Sequence, residues 1–287
     1  VLAEALVYAR ARLAGQANPY GHLTEQVGIW ARHRRRGRAW AGHLARAKGL
    51  CLAAADALAP GSRRTALVLG AGLLLDVPLT ELSLRFRRVV LADMSFLPSA
   101  CAKARALGNV ECRAADLSGC MDRLATCAAR TPPQPAPTPD LALGLPDLDF
   151  VYSANLLSQI PLFAMSALRR HAPQLSEDAL ERFAGSLVTA HVNALRALPA
   201  ACLVTDSMER GKKLGKGRGA AEYEADLLFG AGEILLSAAA LAPGCERWTW
   251  DMAPDGEAEP GLDVEREVIG VPNVSALFNS ASDRGEA

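Results

Sequence analysis

Residues 65–95, TALVLGAGLLLDVPLTELSLRFRRVVLADMS, decide how this chain folds. Residues 65–69 are a short apolar run and read as a buried strand. Gly70-Ala71-Gly72 follows as a tight turn, residues 79–86 read as a helix, and residues 89–92 form a second apolar strand that closes on Asp93. A strand, a glycine turn, a helix and a strand ending in an acid make the first half of a nucleotide-binding α/β unit. The glycines let the backbone bend and come close to a ligand, and a carboxylate about 20 residues later can hold a ribose.

The alternation continues outward from this stretch. Residues 97–107 read as a helix and 109–113 as a third strand, followed by Asp116. Residues 131–147, TPPQPAPTPDLALGLPD, are too rich in proline for helix or central strand, and a mobile surface loop is expected there. Residues 148–152 are the next strand, with Ser153 and Asn155 at its end. Helices are expected over 162–170 and 179–198, the second capped by Ser176 with Glu177 and Asp178 in its first turn. A strand over 201–205 ends at Asp206. Then come a glycine- and lysine-rich loop (211–219, without P-loop spacing), a helix near 220–240, and strands over 247–252 and 264–271. The connection 253–263 is acidic and glycine-rich, as suits a hairpin loop. Residues 1–60 are Ala-rich and helical, broken at Asn18-Pro19-Tyr20-Gly21-His22. The expected architecture is α/β: a doubly wound, mostly parallel seven-stranded sheet with a C-terminal antiparallel hairpin. The expected division is an N-terminal helical cap over 1–60 and a Rossmann-like domain over 61–287.

Bulk properties narrow the function. The chain has 287 residues, half of them hydrophobic, enough for a sizeable core. Its 31 basic and 31 acidic residues balance, which argues against bulk binding of polyanions. The seven cysteines are scattered, without CxxC or Cys/His metal spacing, and their odd number argues against a disulfide framework. Reduced, mostly buried thiols and no metal are expected. There is no signal-peptide pattern and no apolar run of about 18 residues, so a cytoplasmic protein without a membrane span is expected. The chain opens on Val rather than Met, which leaves room for a missing start. The run from Arg32 to Arg38 holds five arginines and reads as a solvated helix face, or else as a contact for an acidic partner or a phosphate. Aromatic interleaving is thin, so nucleic acid is a minor option.

Five segments in order carry a family resemblance: VLGAG (68–72), VVLADMS (89–95), AADLS (114–118), LDFVYSANLLSQIP (148–161) and ACLVTD (201–206). Together they resemble the class I S-adenosylmethionine-dependent methyltransferases, over residues 62–271. The resemblance implies S-adenosylmethionine as cofactor and a small-molecule or peptide methyl acceptor. It places Gly70, Ala71 and Gly72 in the cofactor turn, Asp93 on the ribose, and Met94 against the adenine. Asp116 and Leu117 would address the adenine edge, and Ser153 and Asn155 would lie under the sulfonium. The family's NxLxHxP-like segment is matched by the residues from Asn155 to Pro161. Where the family usually carries an acid two residues before the first glycine this chain has Val68, and Leu74 stands where a third glycine is often found. Asp76, just beyond the turn, would stand in for the missing acid. A helical N-terminal segment commonly roofs the site in this family, which makes Tyr20 and His22 the catalytic candidates; His191 and Asp206 are further candidate bases. The amino-methylating (D/N)PP(Y/F) motif is absent after the fourth strand.

Plainer roles stand beside these. Gly70 and Gly72 would serve any tight strand-to-helix turn, Asp93 could cap the next helix, and Asp116 could be a turn residue. Ser153 and Asn155 could satisfy backbone groups at a strand end. Two other functions remain open. One is an NAD(P)-dependent oxidoreductase, although Leu75 replaces the last glycine of GxGxxG and no YxxxK pair is present. The other is a catalytically silent relative of the fold that binds a ligand or partner.

Overall fold

A computed structural model describes residues 2–16, 21–124, 135–214, 221–258 and 260–277. Two helices open the chain, α1 (Leu2–Leu13) and α2 (His22–Asp56). Strand β1 (Thr65–Leu69), helix α3 (Leu79–Arg85), β2 (Arg88–Asp93), α4 (Pro98–Arg105) and β3 (Val110–Ala114) follow, then a short 3₁₀ turn (Met121–Arg123). The second half is β4 (Leu148–Ala154), α5 (Ile160–His171), α6 (Glu177–Arg196), β5 (Ala201–Lys213), β6 (Tyr223–Asp226), α7 (Gly232–Leu241), β7 (Glu246–Ala253) and β8 (Leu262–Val271).

Seven strands run in the order β3-β2-β1-β4-β5-β8-β7, the first five parallel and the last two antiparallel. This is the arrangement that the resemblance to class I methyltransferases implies. The short β6 adds an eighth strand beside the far end of β5. Strand β1 is buried on both faces, as its unbroken apolar run requires. Its alternate residues feed two cores: Ala66 and Val68 pack with α2, α3 and α4, whereas Leu67 and Leu69 pack with α6 and α7.

Helix α2 has two jobs, divided by a kink at Arg36 (φ −121°, ψ 16°). Past the kink, Trp40, Ala47, Leu50, Cys51, Ala54 and Ala55 share the core of Val68 and Tyr152 on the sheet. Before it, His22, Gln26, Ile29 and Arg32 lie one helical turn apart and face the carboxyl ends of the strands. Two arginines of the cluster are ion-paired: Arg35 holds Glu4 and Glu257, and Arg36 holds Asp255 and Glu257. The acidic connection between β7 and β8 is thereby tied to the basic stretch of α2.

Several expectations change. Strand β5 runs on to Lys213 instead of ending at Asp206, through a bulge between Asp206 and Met208. Its charged half is held by cross-strand pairs, Lys212–Glu265 at 2.6 Å and Arg210–Glu224 at 2.8 Å. Hence Gly211, Lys212 and Lys213 are strand, and residues 215–219 lie outside the described residues. The helix expected near 220–240 is β6 followed by α7, because residues 223–226 pair with β5. The proline-rich segment is packed where described: Leu141 and Leu145 are buried, and Ala136 donates its N–H to Ser186 Oγ at 3.0 Å. Apolar side chains between the prolines anchor it, and residues 131–134 lie outside the described residues. Ser176 caps α6 through its Oγ, which accepts from the Ala179 N–H. Six of the cysteines lie among the described residues, with Cys51, Cys120 and Cys202 buried; Cys127 lies outside. Among the described residues no helix is long and apolar enough to cross a membrane.

Candidate functional site

A cavity of about 210 Å³ opens where β1, β2, β3 and β4 end, roofed by the first half of α2. Open parallel sheets bind ligands at this edge. The turn after β1 begins with the Gly70 N–H donating to Ala92 O at 2.9 Å. Gly70 has φ +75°, and a Cβ there would stand 2.8 Å from Leu156 Cβ and 3.0 Å from Ala154 O. No side chain fits that space. Gly72 also has positive φ (+31°), and its N–H donates to Asp93 Oδ2 at 2.9 Å. Leu74, at the position of the family's further glycine, keeps the left-handed backbone (φ 60°) despite its side chain. Its side chain is buried in the α2-side core, so packing opposes the backbone cost.

Asp93 is fixed from three directions. Oδ2 takes the Gly72 N–H; Oδ1 accepts from the Ser95 N–H at 3.4 Å and from Gln26 Nε2 at 3.3 Å. The same Gln26 nitrogen donates to Ser95 O at 2.7 Å, which turns the amide oxygen away. That oxygen, Gln26 Oε1, is buried without a partner. Burial raises the Asp93 carboxyl to about 6, against the pull of these hydrogen bonds, so it is ionised at neutral pH. Asp76 lines the same cavity and is likewise raised to about 6 by burial. Val68, in place of the family's acid, is fully buried core.

Met94, Asp116, Leu117 and Asn155 also line the cavity. Asp116 is a loop organiser as well: Oδ1 accepts from the Ser118 N–H and Oγ, and Oδ2 from the Met121 N–H. Asn155 has φ 48°, and its Oδ1 accepts the Asp206 N–H at 3.2 Å, which ties the end of β4 to the middle of β5. Ser153 is a correction. Strand alternation turns it away from the cavity to His191, with Oγ 3.4 Å from Nε2 and both residues fully buried. His191 is therefore no wall of the cavity. Asp206 sits behind the wall, paired with Arg266 at 2.6 Å. His22 does line the cavity, stacked on Phe163 with ring centroids 3.7 Å apart. Burial lowers it to about 4, partly opposed by Asp116, so its imidazole is neutral at neutral pH. Tyr20 lies outside the described residues.

The opposite wall was not foreseen. Arg32, Trp40 and His43 from α2 meet Trp250 and Met252 from β7 and Arg266 from β8. His43 stacks on Trp250 at 4.2 Å, Trp40 meets Trp250 edge-on at 5.0 Å, and the Trp40 indole donates to Met252 O at 2.9 Å. The helical spacing of His22, Gln26, Ile29, Arg32, Trp40 and His43 was the available signal, since it puts all six on one face of α2.

No protein-family model matches the chain, and no curated protein is significantly similar to it. Solved structures similar in fold include the DhpI–SAH complex, 18% identical, covering 86% of this chain and 95% of that one, with a TM-score of 0.33. A second is the DhpI–SAM–HEP complex, 18% identical over 94% and 97% of the two chains, TM-score 0.29. A third is the Burkholderia thailandensis 1,6-didemethyltoxoflavin-N1-methyltransferase with bound 1,6-didemethyltoxoflavin and S-adenosylhomocysteine, 16% identical over 86% and 89%, TM-score 0.32. At these identities and scores the likeness carries no argument about this chain.

Proposed function

We propose that the chain is an S-adenosylmethionine-dependent methyltransferase acting on a small-molecule or peptide acceptor. The observation that carries this reading is Asp93, an ionised carboxylate at the end of β2, beside the Gly70–Gly72 turn and the unpartnered Gln26 Oε1. A carboxylate suits the paired hydroxyls of a ribose, and the turn leaves room for backbone to meet ligand. Asp76 would hold the cofactor's ammonium in place of the acid that Val68 lacks. Met94 and Leu117 would enclose the adenine, with Asp116 at its edge. The bound cofactor supplies an electrophilic methyl group on a sulfonium. The chain's own part is alignment: Asn155 fixes the end of β4 against β5, and α2 closes over the opening, excluding water. His22, neutral at physiological pH and lining the cavity, would accept a proton from an acceptor that must lose one. Tyr20, beside it in sequence, stays a second candidate. Residues 1–60 would act as the cap over a catalytic domain of 61–287.

Isothermal titration with S-adenosylmethionine, S-adenosylhomocysteine and NAD tests the reading. Both sulfur nucleotides should bind. Binding of NAD alone would make the protein an oxidoreductase, and no binding by the folded protein would make it a silent relative. A methyl-transfer assay then tests activity.

A further inference from the structure

The cavity is chemically divided. Its strand-end side carries carboxylates, Asp76, Asp93 and Asp116, while the wall formed by Arg32, Trp40, His43, Trp250 and Arg266 carries hydrogen-bond donors. Arg32 is the clearest of these. Among the described residues it meets no carboxylate; Nη1 points at the thioether of Met252 at 3.3 Å, and Nε is buried without a partner. Trp250 is 7% exposed and its indole N–H has no partner either. His43 Nδ1 accepts the Trp248 indole N–H at 3.1 Å, so the imidazole proton sits on Nε2. Burial lowers His43 to about 4, so this tautomer is kept at neutral pH. The acids near this wall are directed elsewhere. Asp206 and Glu209 both serve Arg266, at 2.6 and 2.8 Å, and Glu25 is exposed at the rim. A guanidinium N–H and an indole N–H left buried and unmade are costly, so the wall suits an occupant that accepts. Ile29, Leu44, Leu75 and Met252 line the space beside these donors and suit an apolar body.

We infer that this wall binds the methyl acceptor, and that the acceptor is a small apolar-bodied molecule with an oxyanion group such as a carboxylate, held by Arg32 and Trp250 with His43 as a third donor. This rests on reading the acidic side as the cofactor's place, and it adds the class of the second ligand.

The test is calorimetric titration of benzoate, 2-naphthoate and indole-3-acetate, each beside its uncharged primary amide, into protein saturated with S-adenosylhomocysteine. At least one acid should bind at least tenfold more tightly than its amide. Arg32→Met should abolish that preference, and Arg32→Lys should restore part of it. Trp250→Phe, which keeps the ring and removes the N–H, should weaken the acid several-fold. Should Arg32→Met fail to fold, Trp250→Phe and Arg32→Lys carry the same test. Equal binding of acids and amides, or no acid bound by the loaded protein, overturns the inference while the cofactor reading stands. If S-adenosylhomocysteine itself does not bind, the cofactor reading fails, and the same acids titrated into the free protein still report on the donor wall, where an acid preference supports it and its absence refutes it.

Discussion

The two sides of the cavity are built from different distances along the chain. The acidic side comes from the ends of consecutive strands between Gly70 and Ser118, with Asp93 and Asp116 held by nearby N–H groups. The donor side joins α2 to the β7–β8 hairpin, through contacts such as Trp40 to Met252, 212 residues apart. One side is a consequence of the βα unit; the other depends on a helix settling against the far end of the sheet. The first should tolerate damage to the second, and that asymmetry can be measured.

The largest effect is expected at the joint. Trp40→Ala removes a fully packed indole and its hydrogen bond, and should cost about 3–5 kcal/mol in urea denaturation. A loss below about 1 kcal/mol would mean the donor wall does not depend on this packing. Next, Asp93→Ala should weaken S-adenosylhomocysteine by about 1.5–3 kcal/mol, the range for hydrogen bonds to a charged group, with the fold intact. Unchanged affinity in calorimetry would place the ribose elsewhere.

Acidity sharpens the contrast. Asp93 and Asp76 are held at about 6, so S-adenosylhomocysteine affinity should be level above pH 7 and fall as the pH drops through 6. The effect on stability has the other sign. A carboxyl whose folded value lies above its free value of about 3.9 takes up its proton first in the folded state, so its contribution to stability rises as pH falls from about 6 toward 4. His22, His43 and His191, lowered to about 4 by burial, oppose this: their contribution is complete above about 6.5 and is lost as pH falls toward 4. The difference between wild type and Asp93→Asn isolates that carboxyl, the remaining fall through pH 6 belonging to Asp76; identical pH profiles for the two proteins would remove Asp93 from the titration. The smallest effect belongs to the rim. Arg35→Ala breaks exposed pairs to Glu4 and Glu257 and should cost under about 1 kcal/mol, without changing ligand affinity. A larger loss in thermal denaturation would show that the clamp between α2 and the hairpin stabilises the donor wall.

Legibility in the sequence follows the same division. Apolar runs at 66–69 and 150–152, followed by glycine or polar turns, announced the parallel strands, because strands buried on both faces admit little else. Asp93 was legible because a strand end fixes where its last side chain stands. Ser153, one step from the cavity, was misplaced because period-two alternation sends it to the opposite face, where His191 waits. The far half of β5 read as a loop because its strand character lies in its partners: Glu265, Glu267 and Glu224 neutralise Lys212 and Arg210 only once β8 and β6 are alongside. The proline-rich segment read as mobile because nothing local tells that Leu141 and Leu145 have a core to enter.

What the amino-acid order determined by itself is therefore the βαβ frame, the glycine turn and the acid that faces it, all products of local periodicity and backbone sterics. Only tertiary structure decided which arginine of a run of five turns inward, which tryptophans wall the cavity, and which carboxylates stay free of partners. Those outcomes depend on neighbours some 200 residues away, where packing and the pairing of buried charge choose among side chains that look alike in the sequence.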